Sequence, residues 1–267
     1  MKIATWNVNS IRTRLLQVVD WLRQNMVDVL CLQETKVVDA DFPRSPFEQL
    51  GYHLYVSGQK SYNGVAILSN QPLQDVTTGF TPILPGKSNL EPSLLEIMDL
   101  QKRVITGVID STRIVNLYVP NGAAVGSEKY EYKLQWLKVL REYLRSLLLG
   151  SPAISMCGDF NIALEDRDIH DPVSLTGSIM ASELERQALR EILELGFVDA
   201  FRKFTKEGGH FSWWDYRAAA LSRNCGWRID HHYLTPELYQ QANSCIIDTS
   251  PRKLPKPSDH TPVIVEF

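Results

Sequence analysis

The chain has 267 residues, 44% hydrophobic and 22% charged, which is ordinary globular composition with enough apolar mass for a large core. A net charge of −3 argues against a passive nucleic-acid coat, which needs surplus Lys and Arg to neutralise phosphates. No signal peptide precedes the first strand pattern, no apolar run could span a membrane, and no linker composition divides residues 1–267, so one cytoplasmic domain is expected.

The first pattern is a strand, IATWNVN at 3–9. A helix is predicted over 11–24, where Ile11, Leu15, Val18, Val19 and Leu22 share a face behind a cap at Asn9 or Ser10. VDVLCLQET at 27–35 is a second apolar strand. Ser45-Pro46-Phe47-Glu48 has capping-box composition with proline at the first helical position, and Gly51 closes it. Strands follow at 64–69, 103–109 and 113–119, with no helix predicted between them. Residues 128–148 carry Leu134, Leu137, Leu144 and Leu148 at helical spacing, stopped by Gly150 and Pro152. PAISMCGDFN at 152–161 is a strand with a polar end. Ser182 and Glu185 form another capping box ahead of Leu189, Ile192 and Leu193, with Gly196 as the stop. WRIDHHYL at 227–234 and SDHTPVIVEF at 258–267 complete the strands, the last with its polar residues first. Strands outnumber helices, and this favours two mixed or antiparallel sheets packed face to face with helices outside. Cys31, Cys157, Cys225 and Cys245 lack C-x-x-C spacing and read as free thiols.

Acids and amides recur at the strand ends: Asn7 and Asn9, Glu34, Asp159 and Asn161, Asp230, and Asp259 with His260. All-oxygen donors suit magnesium or manganese rather than zinc. Such a metal could polarise a phosphate, a carboxylate could activate water, and an Asp–His pair could hold a charged imidazole against a phosphate oxygen. Each piece alone has an ordinary reading. Gly-Asp-x-Asn is a common turn, Glu34 a solvated strand end, and Tyr118 packing. Their joint occurrence at strand ends points to a shared site. The segments HFSWWDYR (210–217) and GWRIDHH (226–232) offer core packing or an apolar pocket for an unpaired sugar. Arg12/Arg14, Arg202/Lys203/Lys206 and Arg252/Lys253/Lys256 are candidate basic patches, each more ordinarily a solvated surface.

WNVNSIR, LQETK, YVPNG, GDFN, FSWWDYR, GWRID and PSDHTPV, in that order from residue 5 to residue 265, resemble the exonuclease III family of apurinic/apyrimidinic endonucleases. GDFN or SDH alone would indicate only the wider endonuclease/exonuclease/phosphatase superfamily. The resemblance implies a DNase I-like α/β fold, a four-layer sandwich of two mixed sheets flanked by helices. It implies a monomeric DNA repair nuclease, dependent on Mg2+ (Mn2+ possible), in the cytoplasm at a bacterial nucleoid. That enzyme would hydrolyse double-stranded DNA 5′ to abasic sites, leaving a 3′-hydroxyl, with some 3′→5′ exonuclease or 3′-end-cleaning activity. By position in the motifs, Glu34 would be the main metal ligand, helped by Asn7, Asn9 and Asp259, with Lys36 supporting the carboxylate. Asp159 would orient or deprotonate the attacking water and Asn161 would position it. Asp230 would pair with His260. His260, Tyr118 and Asn121 would contact the scissile phosphate, with Arg103 and Arg228 as further phosphate- or DNA-binding groups. Trp213, Trp227 and Ile229 would wall the abasic-sugar pocket. Either Asp159 or His260 could be the base. Three features depart from the family pattern: Ser10 where glycine is common, an apparent insertion at 87–98, and His231-His232 after Asp230. Competing readings are a superfamily phosphoesterase for a small phosphorylated substrate and a non-catalytic DNA-binding protein on the same fold.

Overall fold

Strand runs that are apolar throughout, rather than alternating, call for sheets covered on both faces. The computed structural model, which describes residues 1–84, 90–151 and 153–267, has that architecture. In chain order the first half comprises β1 (Lys2–Asn7), α1 (Ile11–Asn25), β2 (Val29–Gln33), α2 (Ser45–Glu48), β3 (His53–Ser57), β4 (Val65–Ser69), β5 (Gln74–Thr78), α3 (Pro92–Asp99), β6 (Val104–Ile109) and β7 (Thr112–Tyr118). The second half comprises α4 (Glu128–Leu148), β8 (Ile154–Asp159), α5 (Pro172–Leu175), α6 (Glu183–Leu193), β9 (Val198–Asp199), α7 (Phe201–Phe204), β10 (Asp230–Leu234), α8 (Pro236–Gln241), β11 (Ser244–Ile247) and β12 (Val263–Glu266).

The strands form two six-stranded sheets, ordered β11-β12-β1-β2-β4-β3 and β5-β6-β7-β8-β10-β9. Each contains one parallel pair, β1 with β2 and β7 with β8, and is otherwise antiparallel. Successive side chains leave opposite faces of a strand. Ile3, Val29 and Cys31 of the first sheet therefore meet Ile105, Ile114 and Cys157 of the second in the inter-sheet core. Ala4, Leu30 and Leu32 turn outward onto Val18, Val19 and Leu22 of α1. Val115, Leu117 and Met156 turn outward onto Trp136, Leu140 and Leu144 of α4 and Leu189 of α6. The layers are thus helix, sheet, sheet, helix.

Ser10 caps α1 by accepting from the Thr13 amide at 3.4 Å, and does so at φ +92°, a conformation that favours glycine. Ser182 and Glu185 make a reciprocal capping box at α6. The expected box at Ser45 does not form: Ser45 Oγ accepts from the Gln49 side chain at 3.3 Å, and α2 is a single turn. A helix also does separate 64–69 from 103–109, because α3 lies in the apparent insertion, where Leu95 and Met98 pack into the outer core. Part of that insertion, 87–89, lies outside the described residues, as does Pro152. The mixed topology survives, since β5, β6 and β7 still pair antiparallel. All four cysteines are free.

Candidate active site

Because β1 and β2 run parallel, as do β7 and β8, all four deliver their C-terminal ends to one edge of the sandwich. β10 runs antiparallel to β8 and begins at that edge. Asp159 at the end of β8 therefore sits in register between Tyr118 of β7 and Asp230 of β10. A Cβ on Gly158 would lie 2.0 Å from the Leu117 carbonyl oxygen, so glycine is needed where β8 approaches β7 just before Asp159. The chain turns abruptly beyond these ends: Asn9, Glu34, Lys36 and Asn161 have φ of +43°, +50°, +58° and +50°. Non-glycine residues hold such conformations only when the surroundings over-determine them, a situation that clusters at functional sites.

Asn7 links the two sheets, its Nδ2 donating to Glu34 Oε1 at 3.0 Å and to Asp159 Oδ2 at 2.8 Å. Lys36 Nζ pairs with Glu34 Oε2 at 2.8 Å and donates to Asn9 Oδ1 at 2.5 Å. Asn9 Nδ2 in turn donates to Asp259 Oδ1 at 2.9 Å, and Trp213 Nε1 donates to Asp259 Oδ2 at 3.0 Å. Burial alone would raise the Glu34 pKa, but Lys36 and Asn7 outweigh it and hold the carboxyl below its usual range. The Tyr118 hydroxyl stays protonated, its pKa pushed up by burial and by the nearby Glu34 carboxylate.

His260 Nδ1 lies 2.9 Å from Asp230 Oδ2, and its Nε2 lies 3.7 Å from Asp159 Oδ2. Burial would discharge the ring, but Asp230 and then Asp159 prevail and lift its pKa to about 10, so it is an imidazolium at neutral pH. The Asp159 pKa is also raised, to about 7, by burial and by the Asp230 and Glu34 charges against the pull of His260. Asn161 fixes the Asp159 carboxylate, its amide donating to Oδ1 at 2.9 Å and its Nδ2 to Oδ2 at 3.3 Å. Asn121 Nδ2 donates to Asn161 Oδ1 at 3.0 Å. Arg103 is held against Tyr118, its NH1 donating to the Tyr118 carbonyl and its guanidinium lying 4.5 Å from the Tyr118 ring centroid. A groove of about 440 Å³ leads outward from Tyr118 and Asn121 past Tyr62 and Lys129.

Donor atoms of Glu34, Asp159 and His260 fall within 4.8 Å of one another. A charged imidazole with Nδ1 committed to Asp230 is no ligand, so what remains is hard oxygen, the donor set of magnesium or manganese. Glu34 and Asp159 are brought together directly. Asn9 joins Glu34 through Lys36 and through Asn7, Asp259 joins it through Asn9, and Asn7 turns its amide nitrogen toward the carboxylates while its Oδ1 accepts from the Asn9 amide.

Trp213, Trp227 and Ile229 join Ala163, Ile169 and Met180 in one apolar cluster. The Trp213 backbone bridges both Trp227 and His260, which sets this cluster directly beside the carboxylates. Trp214 instead packs under the loop with Phe211 and Ala220. Arg228 is turned inward: at 1% exposure its guanidinium pairs with Asp168 and Asp199, and it braces the strand start from inside. Arg202 and Arg252 are likewise buried, the former on Asp168 and the latter on the Ser258 and Trp214 carbonyls.

Two residues went unpredicted. Ser212 Oγ accepts from the Ile229 and Asp230 amides at 3.1 and 3.0 Å and donates to Asp230 Oδ2 at 2.6 Å, thereby orienting the partner of His260. Its place inside FSWWDYR was the available signal. Met180, held at φ +69° in the apolar cluster, had none.

Residues 4–260 match the Endonuclease/Exonuclease/phosphatase family. The chain is 34% identical over 268 residues to an exodeoxyribonuclease of Bacillus subtilis (strain 168), covering 98% of both proteins. A solved 3′ phosphatase from Neisseria, bound to a product DNA hairpin, superposes with a TM-score of 0.92 at 40% identity, over 100% of this chain and 99% of that one. An AP endonuclease from Archaeoglobus fulgidus superposes with a TM-score of 0.88 at 41% identity, with the same coverage.

Proposed function

The chain belongs to the endonuclease/exonuclease/phosphatase family, and from that membership and the geometry of its site we propose a DNA repair nuclease acting at abasic sites and 3′ ends. The observation that carries this reading is the bridging of Trp213 to both Trp227 and His260. It joins an apolar cluster suited to a bare sugar to a charged centre suited to the adjoining phosphate. A phosphoesterase for a small soluble phosphate would need only the second half.

The reaction is attack of water on phosphorus with departure of the 3′ oxygen. Asp159, with its pKa near neutrality, is the group matched to accept the water's proton at working pH. Asn161, bound to that carboxylate, orients the water. The imidazolium of His260 donates through Nε2 to a non-bridging phosphate oxygen, where charge develops. Its pKa near 10 favours this donor role over that of base. Tyr118 and Asn121 offer further donors to the phosphate. Glu34, assisted by Asn7, Asn9 and Asp259, would hold Mg2+ or Mn2+, which supplies charge stabilisation to the phosphate and leaving oxygen. Trp213, Trp227, Ile229 and Met180 exclude water and a nucleotide that keeps its base. An abasic nucleotide lacks stacking and pairing and leaves the duplex at little cost.

The deciding assay compares matched abasic and intact duplexes, with magnesium and with chelator. Cleavage 5′ to the abasic site, dependent on the cation, is expected. Equal cutting of both duplexes, or undiminished cutting in chelator, would overturn the reading.

A further inference from the structure

Lysine is rarely buried whole, because an ammonium stripped of water needs charged or polar partners to replace it. Lys133 of α4 is 0% exposed. Its Nζ donates to Glu185 Oε1 at 2.5 Å, to the Asn161 carbonyl at 2.8 Å and to the Asn121 carbonyl at 3.1 Å. Those three acceptors satisfy the three donors of an ammonium. Glu185 of α6 is equally occupied: Oε1 accepts from the Met180 amide at 3.1 Å, and Oε2 from the Ser182 amide at 3.1 Å and hydroxyl at 2.6 Å. The stem of Lys133 also packs under the turn after Asn121, where a Cβ on Gly122 would lie 3.2 Å from Lys133 Cδ.

One buried ion pair thus ties together three segments: the loop after β7, the loop after β8 and the run leading into α6. All three hold left-handed backbone, at Gly122 (φ +93°), Asn161 (+50°) and Met180 (+69°). Glycine and asparagine adopt such backbone readily, whereas at Met180 it persists only because contacts impose it. Cohesion of α4 with α6 does not require the pair, since Trp136, Leu137, Leu189 and Ile192 already pack there. A buried pair commonly contributes little net stability relative to apolar packing. What this one contributes is geometry.

We propose that Lys133 and Glu185 are positioning residues, a clamp that keeps Asn121, which offers a donor to the phosphate, and Asn161, which fixes the Asp159 carboxylate, in register with the Met180 wall of the sugar pocket. The proposal rests on the nuclease reading above. Neither side chain touches the substrate.

The test is the charge-neutral double variant Lys133→Met/Glu185→Gln beside the parent chain. It should melt close to the parent, and kcat on abasic duplex should fall about 100-fold, the cost of misplacing reacting groups by about 1 Å. KM should change little, because outer DNA contacts are untouched. Activity on 3′-phosphorylated ends should fall in parallel, because both reactions use the same amides. Hydrogen exchange should quicken at 121–124, 161–163 and 178–182. If the double variant does not fold, Glu185→Gln alone gives the same readouts, with a smaller fall of about tenfold. Parental kcat in a folded variant, or a loss that only follows the folded fraction, overturns the clamp. Unchanged exchange in all three segments overturns it whatever the parent's activity. A parent chain inactive on both substrates, with exchange quickened in the variant, sinks the nuclease reading and leaves the clamp standing.

Discussion

Replacing Asp230 by Asn keeps the shape of the side chain and an acceptor for Ser212 while removing the charge beside His260. The rise of the His260 pKa from 6.5 to about 10 corresponds to roughly 5 kcal/mol in favour of imidazolium. Among the contributions that raise it, Asp230 is the largest and opposes the discharging effect of burial. Loss of a close opposite charge moves a pKa by about 1–3 units, so the His260 value should drop toward neutrality. The proposed role needs the protonated ring, and that form is lost as pH rises through its pKa. In the parent chain, kcat/KM should therefore climb as Asp159 ionises near pH 7 and hold until about pH 10. In Asp230→Asn the alkaline limb should move down by about two pH units. The variant should then be most impaired at pH 9 and partly rescued near pH 7. The measurement is kcat/KM on abasic duplex from pH 6 to 10 at constant magnesium and ionic strength, with circular dichroism at each pH. A uniform loss across the range, with the limb unmoved, would refute the imidazolium argument.

Glu34→Gln removes one charge from the oxygen cluster, so activity should collapse with the fold intact and recover in part at high magnesium; near-parental turnover at low magnesium would dismiss Glu34 as a ligand. Trp227→Ala removes a 6%-exposed wall of the apolar cluster and should cost about 3 kcal/mol of stability. Below its melting range it should lose more activity on abasic duplex than on recessed 3′ ends, and an unchanged ratio would make Trp227 plain core. His231 and His232 are buried and neutral, with pKa lowered to about 4, chiefly by burial. The unfolded chain takes up their protons below about pH 6.5 and the folded chain does not, so stability should fall as pH drops from 6.5 toward 4. The loss is bounded at about 2 kcal/mol per histidine by pH 5; identical urea midpoints at pH 7 and 5 would contradict this.

Central strands were legible in the sequence because both their faces are covered. β2 and β4 are buried at every position and read as unbroken apolar runs. The four strands that escaped notice, β3, β5, β9 and β11, are the four sheet edges. An edge strand needs apolar residues on fewer sides, and QDVTT of β5 carries no run to detect. Helix α1 was equally readable, with its cap narrowed to Asn9 or Ser10, of which the structure uses Ser10, since cap and amphipathic face lie within one local stretch. Polar residues at the strand ends were visible one by one, from Asn7 to His260.

That they share a site was legible from their joint occurrence at strand ends, but its geometry was not, because it depends on which strands run parallel and on how two sheets meet, and both are long-range choices. The same limit applies to the charges. Arg228 looks like a phosphate ligand in the string GWRID, and only the packing of Asp168 and Asp199 around it turns it inward. Lys133 carries no local mark in the sequence, and only the packing of α6 brings Glu185 against it. Local pattern determines what a segment can bury and where it can begin and end. A charge's role depends on its neighbours across the fold, since burial and opposite charge together decide whether it binds a ligand, braces a loop or moves a proton.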